Sequence, residues 1–533
     1  MNNNLYLLDC TLRDGGYLND WNFGHDVLTN VFERQIASAV DFIEIGFLDD
    51  RRQFDNNRSI MPHSDDVGRI FGKINKMNAT VVAMIDYGTC AIENLTVAEN
   101  SYLDGIRVIF KKHVMGNALN YCAKIKELGY KVFVQAVSIT DYSEEELAQL
   151  IQQVNIIKPL ALSMVDTYGL LHQDNLMHIF NFMDTHLDLS IALGYHAHNN
   201  FQMGYPNSIE ILNQKTKRNL FVDASLYGMG KSAGNTPIEL ISMYMNERFG
   251  KKYDTTQMLE AIETNIMDIY AKTPWGYNLF YYISASNKCH PSYTSFLIDK
   301  HTLSIKSIFE LLARIDAEKK LLYDREHIEK LYLDYQKNEY DDANTIESLK
   351  SLLKEKKLLL LGPGKSIGLN QNIIQKYISD NSPVVMSINC IYPQYPIDYL
   401  FFTNSKRYSQ MTGRLNYPEN QNIALIATSN ITRTIGNFNY LVNYSSLIDT
   451  NTDIPDNSLI MLLKLLINIG SDSIALAGFD GYCENNENYH NTDMEYNFVK
   501  NKAKYLNDYV RSFLHKASSD IKIHFVTDSM YLK

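Results

Sequence analysis

The sequence predicts an α/β protein: a (β/α)8 TIM barrel, then a helical segment, then a second, smaller Rossmann-like α/β domain. Three observations predict it. Eight short apolar runs, each followed by a stretch of helical periodicity, fill the first part of the chain; charged helical periodicity follows; and a new apolar run then opens at Lys357. At 533 residues the chain also exceeds what one hydrophobic core usually serves.

The eight strands are expected at Leu5–Asp9, Phe42–Phe47, Thr80–Asp86, Gly105–Phe110, Lys131–Val137, Leu160–Val165, Ile191–His196 and Phe221–Leu226. Each intervening segment has room for one helix; in Val114–Leu128 apolar residues recur at helical spacing and Gly129 supplies a stop. Strand and helix in alternation imply a parallel sheet, and eight strands favour closure into a barrel over an open sheet. The expected domains are residues 1–250 (barrel), 251–355 (helical extension and connector) and 356–533 (second α/β domain). In the last, strands are expected at Lys357–Leu361, Pro383–Ile388, Tyr399–Thr403, Ile423–Thr428, Ser473–Gly478 and Ile521–Val526.

A net charge of -11 argues against a nucleic-acid partner and for small-molecule ligands. Six widely spaced cysteines with no CxxC pair suggest neither a zinc knuckle nor a disulfide framework, which fits a reducing, cytoplasmic setting. The start of the chain lacks the basic and apolar regions of a signal peptide. Leu459–Ile469, the most apolar later stretch, is too short to span a bilayer and is broken by Lys464.

In a parallel barrel, reactive groups collect at the C-terminal ends of the strands. The first strand ends in Asp9-Cys-Thr-Leu-Arg13-Asp14-Gly-Gly-Tyr17 and the seventh in Gly194-Tyr-His196-Ala-His198-Asn-Asn200. Residues two apart in extended chain point to one side, so His196 and His198 can present two imidazoles to one ion, with Asp14 completing the set. Two imidazoles and one carboxylate leave coordination positions open and suit Mn²⁺ or Mg²⁺ first, with Co²⁺, Fe²⁺ and Zn²⁺ as further choices. An isolated His-x-His is more often a surface or core pair; its place at a strand end argues for the metal. The eighth strand leads into Tyr227-Gly-Met-Gly-Lys231-Ser-Ala-Gly-Asn235, which brings Asn235 and Lys231 toward the same mouth, unless it is an ordinary turn with Asn235 capping the next helix.

These motifs resemble the three signatures of the DRE-TIM metallolyases, a family that includes 4-hydroxy-2-oxovalerate aldolase, hydroxymethylglutaryl-CoA lyase and isopropylmalate synthase: Leu8-Asp-Cys-Thr-Leu-Arg-Asp-Gly15, His196-Ala-His-Asn199 and Gly228-Met-Gly-Lys-Ser-Ala-Gly-Asn235. The resemblance covers Leu5 to Phe249 and implies carbon-carbon bond chemistry through an enolate, acting on a 2-oxo acid and an aldehyde, in a homo-oligomer. It implies Asp14, His196, His198 and Asn235 as the metal site and Arg13 as the donor to the enolate oxygen. Glu44 and Thr167 match positions that orient that arginine or place substrate, and a buried structural ion pair is the alternative for Glu44. Tyr17 departs from the aldolases, which have a histidine there; Tyr17 is therefore the first candidate for acid/base, followed by His290 and Tyr293 from the segment after the barrel, whose alternative is packing. Gly16, where the synthases have an acidic residue, shifts the expectation toward aldolase. The competing expectations are an acyl-CoA-dependent condensing enzyme and a glycosyltransferase-type second domain beside a non-catalytic barrel.

In the second domain Gly362-Pro-Gly364-Lys-Ser366 follows a strand, where helix-terminal amides can meet a phosphate, although the spacing is neither a P-loop nor a dinucleotide fingerprint. With Asn389, Asn404, Asp480 and His490 it resembles bacterial sialyltransferases, which implies a nucleotide or nucleotide-sugar site at Gly362, Gly364, Ser366, Asn389 and Asp480 and a surface-polysaccharide role; a degenerate interaction domain is the other reading.

Overall fold

The structure is a computed structural model that describes residues 4–300, 303, 305–320, 323–336, 340–431, 437–449, 452, 454, 456–495 and 497–532. The chain divides into two compact units, Met1–Pro291 and Ser292–Lys533, so the helices expected as a connector are shared between them.

In the first unit eight parallel strands close into a barrel: β1 (Leu5–Asp9), β2 (Phe42–Leu48), β3 (Thr80–Asp86), β4 (Gly105–Phe110), β5 (Lys131–Ala136), β6 (Ala161–Asp166), β7 (Ala192–Ala197) and β8 (Leu220–Ala224). Closure is explicit, since β1 pairs with β8 (Leu5 opposite Leu220) and with β2 (Leu8 opposite Phe42). One short addition was not expected, the two-residue strand Ile60–Met61, which pairs with the end of β2. It begins where Gly46, at φ +142°, lets the Ser59 carbonyl come so close that any Cβ would collide with it.

Side-chain alternation sorts the strands into layers. Inward residues low in the barrel are apolar: Leu8, Phe42, Val82, Phe133, Ala161, Ala192 and Phe221 form one cluster, with Phe42 and Phe221 edge-to-face at 4.9 Å. Two residues further along four of the same strands the inward positions are polar, at Glu44, Gln135, Ser163 and Asp223, as is Arg107 on β4, and all are buried. The outward positions, such as Ile43, Val81, Ile106, Val134 and Leu162, pack under the surrounding helices. Those helices start where the sequence provides caps; Glu144–Ile157 opens with a capping box in which the Ser143 hydroxyl and the Glu146 carboxylate each accept the other's amide.

The second unit holds a seven-stranded parallel sheet: β9 (Leu358–Leu361), β10 (Val384–Ile388), β11 (Tyr399–Phe402), β12 (Ala424–Thr428), β13 (Tyr440–Val442), β14 (Ser473–Ala477) and β15 (Lys522–Phe525), in the order β13-β12-β11-β10-β9-β14-β15. Six were expected; the three-residue edge strand β13 is too short to show periodicity. The run of four leucines in β9 serves both faces, Leu358 and Leu360 joining one core and Leu359 and Leu361 the other, as a strand buried on both sides requires. The apolar stretch at 459 is a buried helix, Ser458–Asn468, and among the described residues no helix is long and apolar enough to cross a membrane.

Candidate metal centre and active site

At the C-terminal mouth of the barrel, the short helix Thr11–Asp14 turns off β1 and puts Arg13 and Asp14 over the opening. β7 delivers His196, and His198 follows directly behind it. Ligand atoms of Asp14, His196 and His198 all lie within 4.8 Å of one another, and all three residues are buried. Asn235 closes the group: its amide donates to Asp14 Oδ2 at 2.7 Å, and His198 and Asn235 bridge through their backbones. Gly230 makes this approach possible, because a Cβ there would sit 2.3 Å from Asn235 Nδ2 and 2.6 Å from Asp14 Oδ2.

Two polar atoms in this group are buried without a hydrogen-bond partner, His198 Nδ1 and Asn235 Oδ1. Orphaned buried acceptors are costly, and a nitrogen and an oxygen beside a carboxylate are an apt donor set for a divalent cation. The protonation states agree. Burial pushes His198 down to about 3, leaving a neutral imidazole. Burial works against the charge of Asp14, but the Arg13 guanidinium, the His198 and His196 rings and the Asn235 hydrogen bond together outweigh it and hold this carboxyl well below the usual range. The residues present therefore fit a divalent metal.

Beneath the ligands runs a chain of buried charges. His196 Nδ1 hydrogen-bonds Asp223 Oδ2 at 3.0 Å, which leaves Nε2 as its ligand atom and orients the ring. Asp223 also accepts from Arg107, whose guanidinium lies 3.0 Å from Glu44 Oε2. Glu44 in turn accepts from Arg13 Nε at 2.8 Å, and Arg13 Nη1 donates to Asp14 at 2.5 Å. The two ends of the chain are thus metal-ligand candidates. Glu44 is both things considered for it, a buried ion-pair partner and the residue that orients Arg13. Arg107 and Asp223 were not anticipated; the available signal was a charge at an inward position of an otherwise apolar strand.

The remaining expected residues divide. Tyr17 is 42 % exposed and packs edge-on to Trp21 at 4.8 Å, with the Lys231 ammonium 5.2 Å from its ring centre. Although part of the residue is exposed, desolvation of its phenol by the surrounding mouth raises it above its ordinary range, so this side chain is a neutral hydroxyl and not a phenolate base. Lys231 lies at the mouth, its backbone amide donating to Asp14 Oδ2 at 3.2 Å and its ammonium lowered by burial. His290 belongs to the same unit and is pushed down to about 4, first by burial and then by Lys231 and Lys111. The Thr167 hydroxyl accepts the Ser138 amide at 2.8 Å, a loop-holding contact. Tyr293 lies in the second unit, fully buried, its hydroxyl donating to the Lys319 carbonyl at 2.8 Å and accepting the Asp324 amide; this is the packing alternative. Trp275 anchors the aromatic segment to the glycine-rich loop by donating to the Tyr227 carbonyl at 2.8 Å.

Residues 4–265 match the HMGL-like family model. The barrel is an HMGL-like domain. A curated 4-hydroxy-2-oxovalerate aldolase from Marinomonas sp. (strain MWYL1) is 21% identical over 253 residues, 46% of this chain and 72% of that protein. An oxaloacetate decarboxylase from Mycobacterium tuberculosis (strain ATCC 25618 / H37Rv) is 23% identical over 282 residues, 51% of this chain and 79% of that one. Among solved structures, the N-terminal domain of a candidate aldolase from Bacteroides vulgatus is 23% identical, covering 57% of this chain and 99% of that one at a TM-score of 0.48. The HMGL-like match ends before the second sheet begins.

In that sheet the glycine turn is closed on itself. The amides of Gly362 and Gly364 donate to the carbonyls of Ala477 and Gly478, and Asp480 accepts both the amide and the hydroxyl of Ser366. A carboxylate thus occupies the place where a phosphate was expected, and the glycines serve the close packing of the two turns. Asn389, which follows β10, lines one cavity with Pro363 of this turn, and His490 packs over Gly368.

Proposed function

We propose that the barrel is a divalent-metal-dependent carbon-carbon lyase that cleaves a 2-oxo acid to a pyruvate-like enolate, or runs the same step as an aldol addition. The observation that supports it most is the buried Asp14, His196 and His198 group with its orphaned nitrogen and the neighbouring orphaned Asn235 oxygen. Asp14, His196 Nε2, His198 Nδ1 and Asn235 would hold the ion, Mn²⁺ or Mg²⁺ by its donors. When bound, such an ion lowers the energy of negative charge developing on the substrate's keto oxygen.

The side chains supply the rest. Arg13 is locked by Glu44 and Asp14 through two of its three nitrogens, leaving Nη2 to donate to the keto oxygen as charge builds there. Lys231, at the mouth, is the cation available to a second carboxylate of the substrate. In aldol cleavage the 4-hydroxyl loses its proton as the C3–C4 bond breaks, C4 becomes the aldehyde carbon and the bond's electrons pass to C3 of the enolate. His290, neutral at pH 7, receives that proton, and the neutral Tyr17 hydroxyl donates a hydrogen bond to the reacting oxygens. Enolate protonation at C3 completes pyruvate.

A second reading is favoured by the same Tyr17. Loss of CO₂ from a 2-oxo acid that carries a carboxylate on C3 breaks that C–C bond, leaves its electrons in the same enolate and requires no base, because no hydroxyl proton has to be removed; an oxaloacetate decarboxylase is among the relatives. The deciding experiment incubates the Mn²⁺-loaded protein with pyruvate in deuterated water and follows the methyl signal by proton NMR. Exchange that is lost in the His196→Ala, His198→Ala double variant supports the lyase; exchange of acetyl-CoA in its place supports the acyl-CoA condensing enzyme. No exchange of either overturns the enolate reading. Oxaloacetate and 4-hydroxy-2-oxo acids, supplied in turn, then separate CO₂ release from aldehyde release; a sugar-derived aldehyde in surface-polysaccharide synthesis is the acceptor class that a sugar-handling second domain would imply.

A further inference from the structure

The sheet of the second unit changes direction between β9 and β14: from β9 the chain steps outward through β10, β11, β12 and β13, and only then returns to add β14 and β15 on the other side. In open parallel sheets the crevice beyond the carboxyl ends of the strands at such a reversal is where ligands bind. A cavity of about 160 Å³ lies there, lined by residues immediately following β9 (Pro363), β10 (Asn389), β11 (Thr403, Asn404) and β14 (Phe479). At about 30 Å³ per water, this space exceeds that needed by one or two ordered waters.

The lining is built for a polar, anionic ligand. Arg407 is only 5% exposed, yet its guanidinium reaches the cavity from the first turn of the helix Ser405–Leu415, held by Gln410 and by the Met494 carbonyl and lying 5.8 Å from the centre of the Tyr489 ring. Lys502 adds a second cation; Lys300 also lines the cavity but its ammonium pairs with Glu329 at 3.8 Å, and the carboxylates present are those of Asp299 and Asp456. Neutral hydrogen-bonding groups are dense. Asn389 sits at φ +58°, a left-handed conformation at the very end of a strand, which turns its amide onto Ser458 at 3.0 Å; Ser458 also meets Thr403 at 2.7 Å. Tyr482, Tyr489 and Tyr531 also line it. Two eleven-residue helices, Ser405–Leu415 and Ser458–Asn468, begin at this cavity with their positive ends toward it.

We propose that this cavity binds a phosphorylated sugar, free or carried on a nucleotide, with Arg407 and Lys502 on the phosphate and the asparagine, threonine and tyrosine groups on the hydroxyls. Guanidinium and ammonium groups select the phosphate, and the many neutral donors and acceptors select a polyhydroxylated body over a simple organic anion. Pro363 of the glycine turn forms part of the wall, but the amides of that turn are spent on other partners, and the site does not rest on the barrel's chemistry.

The test is calorimetric titration of the full chain with UMP, ribose 5-phosphate, uridine and inorganic phosphate. UMP or ribose 5-phosphate is expected to bind at least about tenfold more tightly than uridine or inorganic phosphate. Equal affinity for the two identifies a free sugar phosphate, and a preference for UMP a nucleotide-borne one. Asn404→Asp retains the helix cap, in which the side chain accepts the Lys406 amide at 2.8 Å, while adding a negative charge to the cavity. It is expected to weaken the phosphorylated ligand by about tenfold or more, as is Lys502→Gln, with Mn²⁺ binding by the barrel unchanged in both. Absence of millimolar binding by either phosphorylated ligand, equal binding of inorganic phosphate, or full retention of affinity in both variants overturns the proposal.

Discussion

Gly230→Ala tests the geometry of the metal centre with a single added methyl group. Gly230 does not use a left-handed backbone, so alanine is not excluded by conformation; the objection is spatial. The new carbon would stand 2.3 Å from Asn235 Nδ2 and 2.6 Å from Asp14 Oδ2, against ordinary contacts near 3.5 Å, so one or both groups must retreat by about 1 Å. That separation breaks the 2.7 Å hydrogen bond between them, a charge-assisted bond of about 1.5–3 kcal/mol, and displaces a metal-ligand oxygen. We expect Mn²⁺ affinity, measured by titration calorimetry or by electron paramagnetic resonance of free Mn²⁺, to fall by about ten- to a hundredfold. Overpacking is expected to cost about 1–3 kcal/mol of stability. Gly116→Ala is the control, since nothing lies within 4 Å of its added carbon and it sits in the helix Met115–Glu127. A Gly230→Ala protein that binds Mn²⁺ like the wild type would refute the placement of Asn235 and Asp14 around one ion.

Three further outcomes are expected. Asp223→Asn should lower Mn²⁺ affinity by about ten- to a hundredfold by releasing the His196 ring, and should cost about 3–5 kcal/mol in urea unfolding because Arg107 loses a buried partner; unchanged values for both would remove Asp223 from the support of the site. Tyr17→Phe should reduce turnover while leaving Mn²⁺ affinity intact, and a turnover equal to wild type would leave His290 as the sole acid/base candidate. Asp9, buried and raised by that burial to about 7, holds its proton better in the folded than in the unfolded chain. Its stabilising contribution is therefore complete below the ordinary carboxyl value of 3.8 and is lost as pH rises through 7, a change of about 4 kcal/mol; Asp9→Asn should flatten that part of the stability-pH curve in chemical unfolding, and an unaltered slope would show that Asp9 ionises freely.

The parts of the molecule legible from sequence are those governed by local rules. Alternation of apolar runs with helical periodicity gave all eight barrel strands and six of the seven in the second sheet, and the polar groups at the ends of β1 and β7 pointed to Asp14, His196 and His198. What escaped is non-local. Arg107 and Asp223 are 116 residues apart, and nothing near either names the other as partner. The same limit explains the glycine turn: Gly362-Pro-Gly364-Lys-Ser366 reads as an open cradle until Asp480, 114 residues on, is seen to occupy it. Tyr293 is an acid/base candidate by its place in the segment after the barrel, whereas its hydroxyl donates to the Lys319 carbonyl and accepts the Asp324 amide.

The charges under the barrel mouth also bear on which substrate the site accepts. Arg13 and Arg107 face Asp14, Glu44 and Asp223, all nearly inaccessible to solvent, so two cations balance three carboxylates and one negative charge is left over. Burying such an excess in a low-dielectric interior is unfavourable unless something completes it. With a divalent cation seated among Asp14, His196 and His198 the excess becomes one positive charge, and a 2-oxo acid with a single carboxylate then brings the cluster to neutrality. A dicarboxylic substrate would leave one negative charge uncompensated within that cluster and so calls on a further cation. Lys231, at the mouth beside Tyr17 and with its ammonium partly destabilised by burial, is the cation placed to meet it. Lys231→Met should therefore penalise oxaloacetate more than a monocarboxylic 4-hydroxy-2-oxo acid when kcat/KM is compared for the two, and an equal loss on both would mean that Lys231 pairs with the carboxylate they share.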